Sequence, residues 1–345
     1  MIRAWRSFAA PTFIRGNSLN LIRMILVRVA YAIALLIAVI VLNFTMMYLA
    51  PGDVADTIAQ ASGGADEEIL AQIRRDYGLD QPFYVQLGTY VGKVLQFDLG
   101  HSFFYNQPVL DLMFERVPAT LLLVITAQIL ALIVGVLLGV LSARNPNGVT
   151  NHFVTLFALF GYSAPVFWTG ILLLIAFSLM FPIFPVAGMR DVTLADQDLL
   201  TRTLDVMHHM VLPVITLASI FLALYSRLCR ASMLEVLGSD YIRTAKAKGL
   251  SERQIVYKHG LKNALSPVVT LAGLQFSAVV SGAVLVETVF SWPGLGTLAL
   301  QSIIARDTPV ILGILFFSAL VVIIVNLITD VVLRTIDPRI RTGAA

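Results

Sequence analysis

Residues Asp240–Pro267 read DYIRTAKAKGLSERQIVYKHGLKNALSP, a polar and basic stretch in a chain that is otherwise mostly apolar. Two short helices are legible in it. Asp240–Lys248 forms the first and Ser251–Ala264 the second, with Gly249 where a helix terminus favours a left-handed residue. Ser251 then supplies an N-cap, and Gln254 three residues later completes a capping box. On the first helix Tyr241, Thr244, Ala245 and Lys248 share a face, with Ala245 small enough for close approach by another surface. On the second, Ile255, His259 and Lys262 recur at helical spacing. A basic connecting loop needs none of this local specification, whereas a docking surface does.

The flanking sequence decides where such a surface sits. Of 345 residues, 58% are hydrophobic and 13% charged, about half the charge of an ordinary soluble domain. Mean hydropathy is +0.84. The apolar residues fall into six blocks: about Val29–Ala50, Ala119–Ala143, Phe153–Phe181, Met210–Cys229, Pro267–Val286 and Val310–Leu333. Each is long enough to cross a bilayer core of about 30 Å as a helix. The first outruns a signal-peptide core and lacks a small-residue cleavage site, so it reads as an uncleaved anchor. The expected fold is an all-α membrane protein of about six transmembrane helices. Cys229 is the single cysteine; an internal disulfide and a cysteine-based metal cluster are excluded.

Charge sets the orientation. Arg3, Arg6, Arg15, Arg23 and Arg28 precede the first span, Arg144 lies in the next loop on that side, and the quoted stretch with its flanks adds eight Lys/Arg. Together with Arg334, Arg339 and Arg341, 17 of the 24 basic residues lie on this side, and 16 of the 21 acids on the other. Both termini and the quoted stretch are therefore expected in the cytoplasm. The chain divides into a basic segment 1–28, a first span 29–50, an outer segment 51–118, a core 119–334 containing the loop 230–266, and a tail 335–345. In the outer segment, helices near Asp66–Tyr77 and Pro82–Gln96 place Ile69, Ile73 and Tyr77, then Leu87, Tyr90, Val91 and Val94, at helical spacing. A small packed cap follows from that. Residues 182–209 show no clear period.

TAKAKG, 244–249, resembles the Glu-Ala-Ala–three–Gly signature of the cytoplasmic loop of ABC-importer permeases, with Thr244, Ala245, Lys246 and Gly249 at its positions. The Ile and Pro that continue that signature are absent, since His259, Gly260, Leu261 and Lys262 stand there. APGDVAD after the first span, YGLDQPFYVQ at 77–86, FDLGHS at 97–102 and RVPATLLL at 116–123 resemble the dipeptide/oligopeptide (peptide/nickel/opine) branch. So do GYSAPVFW at 161–168, MLEVLGSDY at 233–241, ETVFSWPGLG at 287–296 and DPRIR at 337–341. The chain closely resembles the dipeptide-permease B-type subunits of that family.

The resemblance implies a type I importer permease, paired with a second permease in a heterodimer. It also implies two cytoplasmic ATPases that bind ATP and Mg, a periplasmic or lipid-anchored binding protein, and a peptide cargo. The location implied is the bacterial inner membrane. The resemblance makes the quoted loop the element that meets the ATPase, with Tyr241, Thr244, Ala245, Lys248, Gly249, Ser251, His259 and Leu261 as coupling residues. Nickel, glutathione or opine cargo fits the same family.

The residues weigh other functions as follows. The sequence holds no G-x-x-x-x-G-K-[ST] phosphate loop, so no ATPase site and no cofactor is expected in this chain. It shows no intramembrane pair of acids of the kind a secondary transporter uses, and no nucleophile–base set or metal cluster for an enzyme. Asp330 and Glu287 lie near span ends, as pathway residues or as caps. ETVFSWPGLG either turns back over the outer mouth or is an interfacial turn anchored by Trp292. Gln128, Tyr162, Ser163, Gln275 and Asn326 either line a hydrophilic path or make interhelical hydrogen bonds. His208 and His209 diverge by about 100° on a helix, a poor start for a metal site. Gly135 and Gly139 form a GxxxG that permits close helix packing, expected between the two permease subunits.

Overall fold

The computed structural model describes residues 17–49, 67–76, 78–102, 104–194 and 196–336. The basic arm 1–16, much of the outer segment before residue 67, Tyr77 and the tail from 337 lie outside the described residues, as do the side chains of Tyr162, Ile69, Ile73 and Asp330.

Over the described residues the six apolar blocks are helical, the third with a break. The described helices are α1 Asn17–Leu49, α2 Glu67–Asp76, α3 Phe83–Leu95, α4 Val109–Arg144, α5 Val149–Ser163, α6 Val166–Leu174, α7 Leu199–Leu237, α8 Asp240–Ala247, α9 Leu261–Val289, α10 Leu295–Ile304 and α11 Thr308–Ile336. By length and composition, Val29–Leu49, Val109–Arg144, Leu199–Leu237 and Thr308–Ile328 each suffice to cross a membrane. The third block is not one helix. It breaks at Ala164–Pro165 and resumes as α6, which runs on into a π-helical turn, Ile175–Met180. Proline lacks an N–H and pushes the residue before it out of the α region, so the break falls where the chain dictates it.

The core is built on α4 and α7, which lie side by side along most of their length. Close approach is made by the two glycines of the GxxxG. A Cβ on Gly139 would stand 2.6 Å from the Cβ of Cys229, and one on Gly135 2.9 Å from that of Tyr225. The motif that the sequence suggested for contact between subunits is therefore spent inside this chain. The reason is steric: only a residue without Cβ admits the α7 backbone here. Leu123, Val124, Leu217, Tyr225, Met233 and Val268 fill the space that α9 closes.

A second apolar cluster, Ile40, Val94, Leu99, Leu112, Met113 and Ile314 among others, seats the cap on α1, α4 and α11. Phe44 of α1 stacks on Tyr90 of α3 with ring centroids 5.2 Å apart, and Tyr48 meets Phe83 edge-on at 5.0 Å. A two-stranded antiparallel hairpin, β1 His101–Ser102 and β2 Gln107–Pro108, completes the cap. It is pinned to the start of α11, where Asp307 accepts hydrogen bonds from Ser102 Oγ and the Phe104 N–H.

The region 182–209, without period in sequence, already contains the first turns of α7. Asp198 is the N-cap, accepting from the Thr201 N–H at 3.4 Å and from Thr201 Oγ1 at 2.6 Å. The cap end of the bundle thus carries the 67–108 segment, the loop before α7 and the α9–α10 turn. The opposite end carries the basic hairpin.

Candidate functional site

The basic hairpin is specified by its backbone before any tertiary contact is counted. α8 ends at Lys248, and Gly249 takes φ +77°. The Leu250 N–H reaches the Ala245 carbonyl at 3.3 Å and the Gly249 N–H the Lys246 carbonyl at 3.0 Å. These are the paired bonds of a Schellman terminus, with its apolar contact between Leu250 and Ala245 in place. The capping box forms as expected: Ser251 Oγ accepts from the Gln254 N–H at 3.4 Å, and Gln254 Oε1 accepts from the Ser251 N–H at 3.3 Å.

Two features differ from the sequence reading. The second arm does not stop at Ala264. From Glu252 it runs without interruption through a π-helical turn, Gln254–Gly260, into α9 and on to Val289. Hairpin and membrane span are one rod, with a widened turn at the join.

Ala245, expected on the docking face, instead faces inward. With Ile242 and Ile255 it forms a small buried core that Leu237 and Leu250 close. Helical spacing identified the face without telling inside from outside. Leu261 likewise packs against the main core. The open side of α8 carries Tyr241, Thr244 and Lys248, all exposed, with Ser251 exposed beyond the turn and His259 half-buried. Tyr241 is held in place, because Asn263 Nδ2 donates to its hydroxyl at 2.8 Å and to the His259 carbonyl at 3.2 Å. Arg144, at the end of α4, approaches Glu252 at 3.5 Å and ties the hairpin to the bundle.

This geometry yields a prediction. Ala245→Asp would place a carboxylate in the Ile242–Ile255 core, and a buried unpaired charge is expensive. The hairpin should open, so that trypsin cuts at Arg243 and Lys248 at least tenfold faster than in wild type. Lys246→Gln, at an exposed position where an ion pair is worth only about 0–1 kcal/mol, should leave the digestion rate unchanged.

At the other end, Glu287 and Trp292 are both fully buried. Glu287 is a cap. Its Oε2 accepts from the Gly296 N–H at 2.6 Å and the Thr297 N–H at 3.3 Å, in the first turn of α10. A carboxylate is favoured there because it meets the unsatisfied N–H groups and the positive end of the helix dipole. Its Oε1 accepts from Thr120 Oγ1 at 2.6 Å, and the same hydroxyl oxygen accepts from the Leu295 N–H at 2.8 Å. Trp292 Nε1 donates to the Ala119 carbonyl at 2.9 Å.

A Cβ on Gly294 would stand 2.3 Å from Glu287 Oε1, and one on Gly296 2.5 Å from Val284 Cα. ETVFSWPGLG therefore re-enters the protein and starts a helix. Trp292 is locked inside, so the alternative of an interfacial aromatic anchor falls.

The remaining polar span residues separate. Gln128 makes interhelical bonds: its Nε2 donates to the Tyr225 hydroxyl at 2.8 Å and the Ala272 carbonyl at 3.0 Å, joining α4, α7 and α9. Ser163 is exposed at the break before α6, Gln275 is half-buried on α9, and Asn326 is exposed on α11. His208 bonds the Ile183 carbonyl at 2.8 Å, and His209 Nδ1 lies 3.1 Å from Asp205 Oδ1. Among the described residues no three His, Cys, Asp or Glu side chains cluster as metal ligands. Thr120, Ala119, Ile242 and Tyr225 carry these sites without having been singled out from sequence. Ala119 and Thr120 lie in RVPATLLL and Ile242 in the basic stretch, whereas Tyr225 had no signal.

Residues 135–342 match the family described as binding-protein-dependent transport system inner membrane component, and residues 21–124 match the N-terminal region described for such membrane components. The oligopeptide transport system permease protein AppB of Bacillus subtilis is 38% identical over 315 residues, covering 91% of this chain and 97% of AppB. The dipeptide transport system permease protein DppB of Escherichia coli K12 is 38% identical over 337 residues, covering 93% and 99%. A chain of the inward-facing MetNI methionine ABC transporter superposes with TM-score 0.51 at 18% identity, covering 66% of this chain and 96% of that one.

Proposed function

Because the chain belongs to the family of binding-protein-dependent transport system inner membrane components, we propose that it is one half of the pore of an ATP-driven importer of short peptides. In this reading it pairs with a second permease in the bacterial inner membrane. ATP and Mg are bound and turned over by two cytoplasmic ATPases, and a separate binding protein outside delivers the cargo. Peptide cargo rests on the names of AppB and DppB.

The observation that carries the coupling role is the hairpin itself. It is held by a Schellman terminus, a capping box and its own apolar core. It needs no partner to be shaped, and it leaves Tyr241, Thr244 and Lys248 open. A rigid lever continuous with α9 transmits displacement along the rod, which a slack loop would absorb. Ser251 and His259 shape the second arm, and Gly249 sets the angle between arms. Leu261 and Ala245 serve from inside, by packing. Ser163, Gln275 and Asn326 border the path. Glu287 and Trp292 hold the outer turn above it.

Topology and contact are tested together. Reporter fusions at Asp240 and after Ala345 should signal the cytoplasm, and fusions at Gly64 and Asp196 the outside. Native Cys229 is buried, so Lys248→Cys supplies the reactive thiol. A short bifunctional reagent should join it to an ATPase subunit in the assembled complex. A periplasmic signal at Asp240, or a cross-link only to lipid or the second permease, contradicts the coupling role.

A further inference from the structure

The cap end holds a cavity that the coupling account does not use. It lies between the turn at Arg190–Leu194 and the first two turns of α7, with a volume of about 230 Å³. Leu194, Leu199 and Val206 form its apolar wall, and Arg190 and Arg202 contribute its cations. The loop is fixed beside the α9–α10 turn, because the Gly188 N–H donates to the Phe290 carbonyl at 2.9 Å.

The acids Asp191 and Asp205, which also line this cavity, are partly engaged by their own neighbours. Asp191 Oδ1 accepts from the Thr193 N–H at 2.9 Å and from Thr193 Oγ1 at 2.7 Å. Those two bonds hold the Asp191 carboxyl below the usual carboxylate range. Asp205 Oδ2 accepts from the Asp191 N–H at 2.8 Å, and its Oδ1 lies 3.1 Å from His209 Nδ1. Asp198 is turned to Thr201 as the N-cap. The guanidinium groups of Arg190 and Arg202 are different: both residues are exposed, and neither side chain has a hydrogen bond or ion pair among the described residues. Two free planar donors at the rim of a cavity with one apolar wall suit a carboxylate attached to an apolar group.

We propose that this cavity is a weak receiving site for the C-terminal residue of a short peptide, with Arg190 and Arg202 taking the carboxylate and Leu194, Leu199 and Val206 the side chain. The inference rests on the peptide reading above. An acidic side chain offered by a partner protein would satisfy the arginines but leave the apolar wall uncovered. An ammonium group would meet two arginines that repel it, and acids whose oxygens partly serve Thr193 and the Asp191 N–H. Exposed arginines in water bind modestly, which suits a site that cargo must leave.

The test uses the assembled transporter in nanodiscs without binding protein and follows the fluorine signal of alanyl-4-fluorophenylalanine at millimolar concentration. The free acid should broaden at least threefold more than its C-terminal amide. The Arg190→Ala/Arg202→Ala variant should reduce the acid to the level of the amide, with its thermal stability unchanged. Arg190→Lys/Arg202→Lys should fall between, because the charge remains and the planar fork is lost. Equal broadening of acid and amide overturns the site, and so does undiminished broadening in the double alanine variant. Should that variant bind the acid normally yet lose the ATPase response to loaded binding protein, the arginines belong to a protein contact and the site is refuted. The ATPase response of wild type to peptide-loaded binding protein reads the underlying peptide assignment separately. Its absence would remove that reading whatever the fluorine signal shows.

Discussion

Gly249→Val is expected to abolish transport and the stimulation of ATP hydrolysis by loaded binding protein, while the bundle stays folded. Gly249 sits at φ +77°, and nothing lies within 4 Å of where its Cβ would be. The penalty is therefore one of backbone conformation rather than of collision. A β-branched residue resists that region strongly, at a cost on the order of 1–3 kcal/mol. The hairpin's stability comes from one turn, one capping box and three buried side chains, so a loss of that size moves its folded fraction severalfold. Relaxing φ would also pull the Leu250 N–H from the Ala245 carbonyl and open the small core beneath. Gly249→Asn, which tolerates the left-handed region, should retain most activity. The readout is ATPase rate in nanodiscs, with co-purification of the ATPases as the check on assembly. Equal rates for Val, Asn and wild type would reduce the stretch to a basic loop.

Glu287→Ala should produce the largest loss of stability. It strips an acceptor from three donors at once: Thr120 Oγ1 and the N–H groups of Gly296 and Thr297. Each buried polar group left unpaired costs about 1–3 kcal/mol. The cavity would not close, because Gly294 and Gly296 pack against the carboxylate. The thermal midpoint of the purified permease should fall by several degrees. Glu287→Gln keeps the shape and one acceptor and should lose less. Thr120→Val acts in the same cluster, so its effect should not add to that of Glu287→Ala. A midpoint unchanged in Glu287→Ala would show that the acid is not the cap of α10.

What could be read from sequence follows from the range of the forces involved. The hairpin's punctuation was legible because Gly249, Ser251 and Gln254 act on neighbours within a few residues. Its inside and outside were not, because a face of Tyr241, Thr244, Ala245 and Lys248 has the same spacing whichever way it points. Burial of Ala245 depends on Ile255, across the turn. The six blocks were legible because hydropathy accumulates over about 20 residues. For the same reason it ran straight over Pro165, which breaks the third block. Glu287 was visible as an acid near a span end. Its partner Thr120 lies 167 residues away in the chain, and no local pattern links them. α10 was missed because its ten residues fall between the fifth and sixth blocks and are too few to span, and its start is set by that distant pair. The GxxxG was recognised as a close-packing motif, but which helix it admits depended on Cys229 and Tyr225 of α7.

In the proposed reading this chain is a passive half-pore driven by ATP hydrolysed elsewhere, and peptide uptake into proteoliposomes separates that from transport by the permeases alone. The full complex should accumulate dipeptide only with ATP on the ATPase side and binding protein on the other. An ATPase subunit unable to hydrolyse should stop uptake completely. Accumulation by this chain and its permease partner alone, without ATPases, would show that the pore does not need ATP hydrolysis.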